Sequence, residues 1–272
     1  MNLFQILEVR IYPWLGFVAV FLQSCSGGPV ATMVNAESGL NNKNLITEIP
    51  SITLTKTDQL ISTPFATPSP VPTMNSTSFQ NTALPEEHYI MDISGHKQYF
   101  SLGCEASAAV DVAQYFGLTI NEFEFQFRLP LSDNPDLGFV GSVNGPWGQI
   151  PPYAYGVHAG PVADLLTDYG LSAEGIKHFT LDQIKSEIVN GRPVIAWVIG
   201  NVVGGVPYEY TDKDGSKVVV AAYEHVIIIT GFNKLKIRYM SNGNFYDTPY
   251  ETFLNSWGIL GNMAVIIKDQ VK

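Results

Sequence analysis

Gln98-Tyr-Phe-Ser-Leu-Gly-Cys104-Glu-Ala-Ser-Ala-Ala-Val-Asp-Val-Ala-Gln-Tyr-Phe-Gly117 is the stretch whose reading decides the fold. From Cys104 to Phe116 small and apolar residues dominate, and neither Gly nor Pro interrupts them. That pattern predicts a helix, with Gly117 as its C-terminal stop. Cys104 then falls in the first turn, beside unpaired backbone N–H groups and the positive end of the helix dipole. Such a setting favours thiolate over thiol, and the thiolate is the nucleophile. A small buried cysteine serving as core filler is the competing reading.

Composition narrows the choice. The chain has 272 residues, 46% of them hydrophobic, which is enough for a real core. Its net charge of −10 opposes phosphate backbones, and no basic stripe interrupts it, so nucleic-acid binding is not expected. Only two cysteines occur, Cys25 and Cys104. Cys25 closes the apolar run Ile11–Leu22, which follows Arg10, in the layout of a secretion signal. Leu22-Gln-Ser-Cys25 resembles a bacterial lipobox, although Gln23 is unusual there and Glu8 is unusual in the n-region; Val34-Asn-Ala36 offers a competing cut. Residues 1–25 are thus expected to be a signal peptide ending in a lipidated Cys25. The domain would be extracytoplasmic, either secreted or anchored to the membrane by lipid alone. Either cut leaves Cys104 unpaired, which is notable in a secreted protein.

Working outward, residues 26–87 are rich in Ser, Thr, Asn and Pro, with no sustained apolar period, and read as a disordered tether. The folded domain is expected at 88–272. Tyr89–Ile93 reads as a short strand. After the Cys104 helix, Asn121 caps a second helix to about Phe127, and residues 131–159 form a long Gly/Pro/aromatic loop. Helices follow at Pro161–Tyr169 and from the Thr180-Leu-Asp-Gln183 capping box to Gly191. From Pro193 the pattern turns to strands: Pro193–Ile199, the hairpin Tyr208–Thr211 with Lys217–Ala221, His225–Thr230, Lys236–Met240 and Met263–Ile267. A short helix sits at Tyr250–Trp257. Helices first and an antiparallel sheet second predict an α+β domain.

A thiolate nucleophile needs an imidazole to take its proton and a polar group to orient that imidazole. Of five histidines, His225 opens a buried-looking strand, where a polar ring needs a partner; it reads as the base or as a satisfied structural histidine. Asn242, near the end of the next strand, is the candidate orienting residue, with Asp247 in reserve. Asn242-Gly243 also reads simply as a turn. Gln98, six residues before Cys104, can complete an oxyanion hole with the Cys104 backbone N–H.

These residues, with Gly103-Cys-Glu-Ala-Ser107, Asn134-Pro-Asp-Leu-Gly-Phe-Val-Gly141, Gly191-Arg-Pro-Val-Ile-Ala-Trp197, His225-Val-Ile-Ile-Ile-Thr-Gly-Phe232 and Leu260-Gly-Asn-Met-Ala-Val-Ile266, resemble the C39-like peptidases, papain-fold cysteine peptidases related to bacteriocin-processing domains. The resemblance runs from about Ile90 to Lys268. It implies a papain-like fold with the nucleophile helix on one lobe and the histidine sheet on the other. It also implies peptide-bond hydrolysis through Cys104, His225 and Asn242, with Gln98 at the oxyanion. Where that family commonly has Asp-Pro this chain has Asn242-Gly243, so less electrostatic support for the imidazole is expected. No nucleotide-binding Gly-x4-Gly-Lys loop accompanies the domain, so cleavage of double-glycine leaders does not follow. The expected partner is a peptide or protein substrate. A cell-wall amidase or transpeptidase on the same residues, and a catalytically weak peptide-binding module, stay open. No cofactor is implied, and scattered histidines without Cys-x2-Cys or His-x3-His spacing argue against a metal. A monomer is the expectation.

Overall fold

The computed structural model describes residues 83–268. The expected signal segment 1–25 with Cys25, and nearly all of the expected tether 26–87, lie outside the described residues. Within them the chain runs β1 (His88–Tyr89), α1 (Cys104–Tyr115), α2 (Glu122–Arg128), α3 (Ala159–Asp168), β2 (Ala173–Ile176), α4 (Leu181–Val189), β3 (Val194–Ile199), β4 (Tyr208–Thr211), β5 (Lys217–Val220), β6 (Glu224–Phe232), β7 (Lys236–Ser241), β8 (Asn244–Pro249), α5 (Tyr250–Trp257) and β9 (Ala264–Ile267). No helix among them is long and apolar enough to cross a membrane.

Every strand pairing is antiparallel, and the main sheet has the order β2-β9-β3-β6-β7-β8, with β1 added along β6. The fold is α+β, with most of its helices ahead of an antiparallel sheet. All six residues of β3 are buried, and so is most of β6, because both faces of these central strands are covered. α1 packs on β6 and β3 on one side and against α2 and α3 on the other. That enclosure explains why a helix of Ala, Val and Ser is buried almost all round. Tertiary burial, more than intrinsic propensity, stabilises such a helix.

The predicted caps form. Asn121 Oδ1 accepts from Glu124 N–H at 3.0 Å at the start of α2. At α4, Thr180 and Gln183 exchange both bonds of a capping box. Two strands escape the sequence pattern, β2 and β8. Both are edge strands, and β8 exposes most of its residues, so neither alternates apolar with polar. The β4–β5 hairpin forms a separate two-stranded sheet whose Val218 and Val220 pack with Val140 and Tyr155 of the long loop. Asn134 Nδ2 donates to Asp212 Oδ2 at 2.7 Å and fastens that hairpin to the loop.

Candidate active site

Cys104 is the first residue of α1, and His225 is the second residue of β6, paired across the sheet with Val198. Because α1 lies on β6, the helix start and the strand start meet at one end of the sheet. The two side chains line one cleft of about 420 Å³, together with Gln98, Tyr99, Trp147 and Asn242. The long loop contributes Trp147, whose indole Nε1–H donates to the Glu224 carbonyl at 2.8 Å. Its ring stands edge-on to His225, with centroids 6.4 Å apart.

His225 uses Nε2 to meet Ser241 Oγ at 2.9 Å. Ser241 lies one residue beyond the Ile228–Met240 pair of the β6–β7 ladder, which sets it opposite Ile227 and so on the same side of the sheet as His225. Asn242 does not reach the imidazole. With Gly243 it makes the two-residue turn between β7 and β8, at φ of 50° and 73°. Leaving the strand's alternation there, its Oδ1 accepts instead from the Gln98 backbone N–H at 3.1 Å. The expected imidazole partner is therefore replaced, in the geometry, by the residue before it. Asp247 lies opposite Arg238 in the β7–β8 ladder, away from the cleft. Ser241 was legible only through the turn: an Asn-Gly hairpin turn forces residue 241 to be the last true strand position.

Gln98 lies in the loop before α1, and its amide Nε2 donates to the carbonyls of Phe100 and Ser101 at 2.7 and 3.2 Å. That loop is held by His96, whose Nδ1 meets Asp111 Oδ1 of α1 and whose Nε2 meets Glu122 Oε2 of α2, both at 2.6 Å. Glu122 Oε1 also accepts from Tyr99 N–H. Burial alone would lower the pKa of His96, but hydrogen bonds and charge from the two carboxylates outweigh it and raise it above 6.5. Burial raises Asp111 against the opposing pull of His96. The position of His96 as a loop clamp depends on Asp111 and Glu122, which lie on two later helices.

The surroundings of Cys104 oppose the expected thiolate. Cys104 is 7% exposed, and its thiol donates to Glu105 Oε2 at 3.2 Å. Burial first, then the charge of Glu105, push the thiol well above its ordinary pKa; a backbone hydrogen bond from Val226 only partly opposes them. Desolvation and an acidic neighbour outweigh a helix terminus, whose influence is modest. Burial likewise takes His225 down to about 4, so the resting imidazole is neutral. Burial thus favours the uncharged form of both the thiol and the imidazole.

Glu105 and Glu224 were not anticipated as site residues. Both are buried, and a Cβ added at Gly156 would fall against Glu105 Oε1 and 3.1 Å from Glu224 Oε2. Gly156 also has φ 132°, a conformation that glycine alone adopts readily. Gly156→Ala is expected to destabilise the domain by about 2–3 kcal/mol, read as a lowered thermal midpoint.

A thiol at a helix start and an imidazole on a strand thus line one cleft of a mixed helix and antiparallel-sheet domain. The chain belongs to the Peptidase_C39 like family, whose model matches residues 78–265, more than half of it. A solved structure from Bacillus anthracis, a candidate C39-like peptidase, is 19% identical with a TM-score of 0.61 and covers 69% of this chain and 100% of its own. Xylellain, a cysteine protease from Xylella fastidiosa, is 14% identical with a TM-score of 0.40 over 68% of this chain and 87% of its own. The peptidase domain of Streptococcus ComA is 12% identical with a TM-score of 0.40, covering 64% and 97%. No curated protein matches the chain.

Proposed function

We propose that the domain hydrolyses peptide bonds of peptide or protein substrates through a covalent thioester on Cys104. The observation that carries this is the convergence of Cys104, His225 and Gln98 on one cleft. His225 takes the Cys104 proton on the ring nitrogen not engaged by Ser241 and returns it to the leaving amine. Ser241 holds the ring in that orientation. Gln98 Nε2 turns from its longer bond, to Ser101 O, toward the oxyanion, alongside the Cys104 backbone N–H. Because burial disfavours both the thiolate and the imidazolium, the proposed scheme has proton transfer accompany substrate attack.

The reading extends to location. The Arg10-led apolar run and Cys25 support a lipid-anchored domain outside the cytoplasm, carried on the proline-rich segment 26–87. No membrane contact beyond the lipid is invoked.

The test is iodoacetamide modification of the purified protein against casein and peptidoglycan fragments. Loss of casein cleavage in step with carboxamidomethylation of Cys104, followed by mass spectrometry, is expected. Cleavage that persists in fully modified protein overturns the proposal, and turnover of peptidoglycan fragments alone moves it to a cell-wall amidase. Ser241→Ala is expected to lower kcat about fivefold to tenfold, the loss of one orienting hydrogen bond. Asn242→Ala acts differently: it strains the turn and frees the Gln98 N–H, costing about 1 kcal/mol of stability.

A further inference from the structure

Behind the thiol lies a group of proton-bearing side chains that the hydrolytic scheme above does not use. Glu105 is fully buried, with Oε2 accepting from the Cys104 thiol at 3.2 Å and Oε1 accepting from Val157 N–H at 2.7 Å. Glu224, the residue before His225, is 3% exposed, and its Oε1 has no hydrogen-bond partner. The Cys104 sulfur and one oxygen from each carboxyl all lie within 4.8 Å of one another. Two carboxylates cannot both stay ionised in so small and dry a space. The backbone at Gly156 is shaped to admit the pair, since any Cβ there would strike Glu105.

The two carboxyls differ in their partners. Glu105 has hydrogen-bond donors that favour its ionised form, whereas Glu224 has an orphan oxygen and its pKa is pushed well above the carboxylate range by burial and then by Glu105. Glu224 is therefore the neutral member. Burial brings Glu105 up to about 7 against its donors. The other titratable groups around them are His225 on β6, neutral above about pH 4, and Tyr155 of the long loop, whose phenol burial holds protonated. Glu105 is the member of this group that changes charge near neutral pH.

We propose that Glu105 is a further catalytic residue of this site: as a carboxylic acid it donates a hydrogen bond to the Cys104 sulfur while the thiolate forms, and as a carboxylate it holds the thiol protonated. The inference rests on Cys104 being the nucleophile. In the step itself the S–H bond breaks, and its proton passes to the free ring nitrogen of His225. A sulfur electron pair forms the C–S bond, and the carbonyl pair moves onto oxygen. The imidazolium then returns the proton to the amine as the C–N bond breaks. The Glu105 proton stays on its carboxyl throughout. Its effect is electrostatic, because a carboxylate next to a developing thiolate repels it, while a neutral O–H donor stabilises it.

The pH dependence of Cys104 alkylation by iodoacetamide tests this. In the wild-type protein the rate is expected to rise with pH, level off from about pH 7 as Glu105 ionises, and rise again at higher pH. Glu105→Gln is expected to remove the plateau and to react about tenfold faster than wild type above pH 8, one pKa unit of thiol stabilisation. Glu224→Gln is expected to keep the plateau. A single uninterrupted rise in the wild-type protein overturns the proposal, as does a plateau that survives in Glu105→Gln or vanishes in Glu224→Gln. If Glu105→Gln does not fold, the wild-type and Glu224→Gln profiles still decide. Retained hydrolysis in Cys104→Ala overturns the nucleophile assignment instead, so the two failures are distinct.

Discussion

Cys104→Ala is expected to lower peptide hydrolysis by at least about 10⁴-fold, to the level left by cleft binding alone. The thiol supplies the bond-forming electron pair, and no second thiol lies among the described residues. The same substitution is expected to leave stability within about 1 kcal/mol of wild type. The side chain is small, and alanine keeps the packing of α1 on β6. His225→Ala is expected to cost about 10³–10⁴-fold, since it removes the proton acceptor but leaves the sulfur and the oxyanion donors in place. Combining the two substitutions should cost little more than Cys104→Ala alone, because the pair acts as a unit. Single-turnover cleavage of a chromogenic peptide, with circular dichroism as the folding control, measures all three. Additive losses would mean that thiol and imidazole do not share one step.

His96→Ala carries the second large effect. His96 bridges Asp111 and Glu122, whose side chains are 11% and 4% exposed, so its removal leaves two nearly buried carboxylates facing each other. The imidazole is itself partly open to solvent, which limits the loss to about 2 kcal/mol, or roughly 4–8 °C in thermal midpoint. The larger consequence falls on activity, because this clamp fixes the loop carrying Gln98. A misplaced oxyanion donor costs about 10²-fold in kcat. The clamp also has a pH dependence of definite sign. The folded pKa of His96 is raised above its unfolded value, so its contribution is complete below about pH 6.5 and disappears as pH rises through the folded value. Hydrogen exchange at Tyr99–Ser101 should accelerate on the alkaline side in the wild type and be fast at every pH in His96→Ala. Protection that is flat with pH in the wild type would rule out the clamp.

Much of the fold is readable along the chain because its signals are local. The helix at Cys104, the caps at Asn121 and Thr180 and the apolar runs of β3 and β6 are each carried by neighbours within a few positions. Edge strands β2 and β8 are not, since their pairing depends on partners that lie elsewhere in the sequence and leaves little burial pattern behind. In the site, Cys104, His225 and Gln98 announce themselves by residue type and spacing. Ser241 does not, because which of two adjacent residues meets an imidazole depends on strand alternation and turn geometry.

Residue order alone establishes a cysteine at a helix start, a histidine opening an apolar strand and an α+β layout to bring them together. The charge state of that cysteine lies beyond its reach. A helix N-terminus favours thiolate, yet the folded protein closes Glu105 and Glu224 around the sulfur and excludes water. Glu105 is adjacent in sequence, but Glu224 arrives from another element and Val157 from the long loop. Desolvation and the field of distant charges are properties of packed neighbours in space, so only the assembled fold decides them.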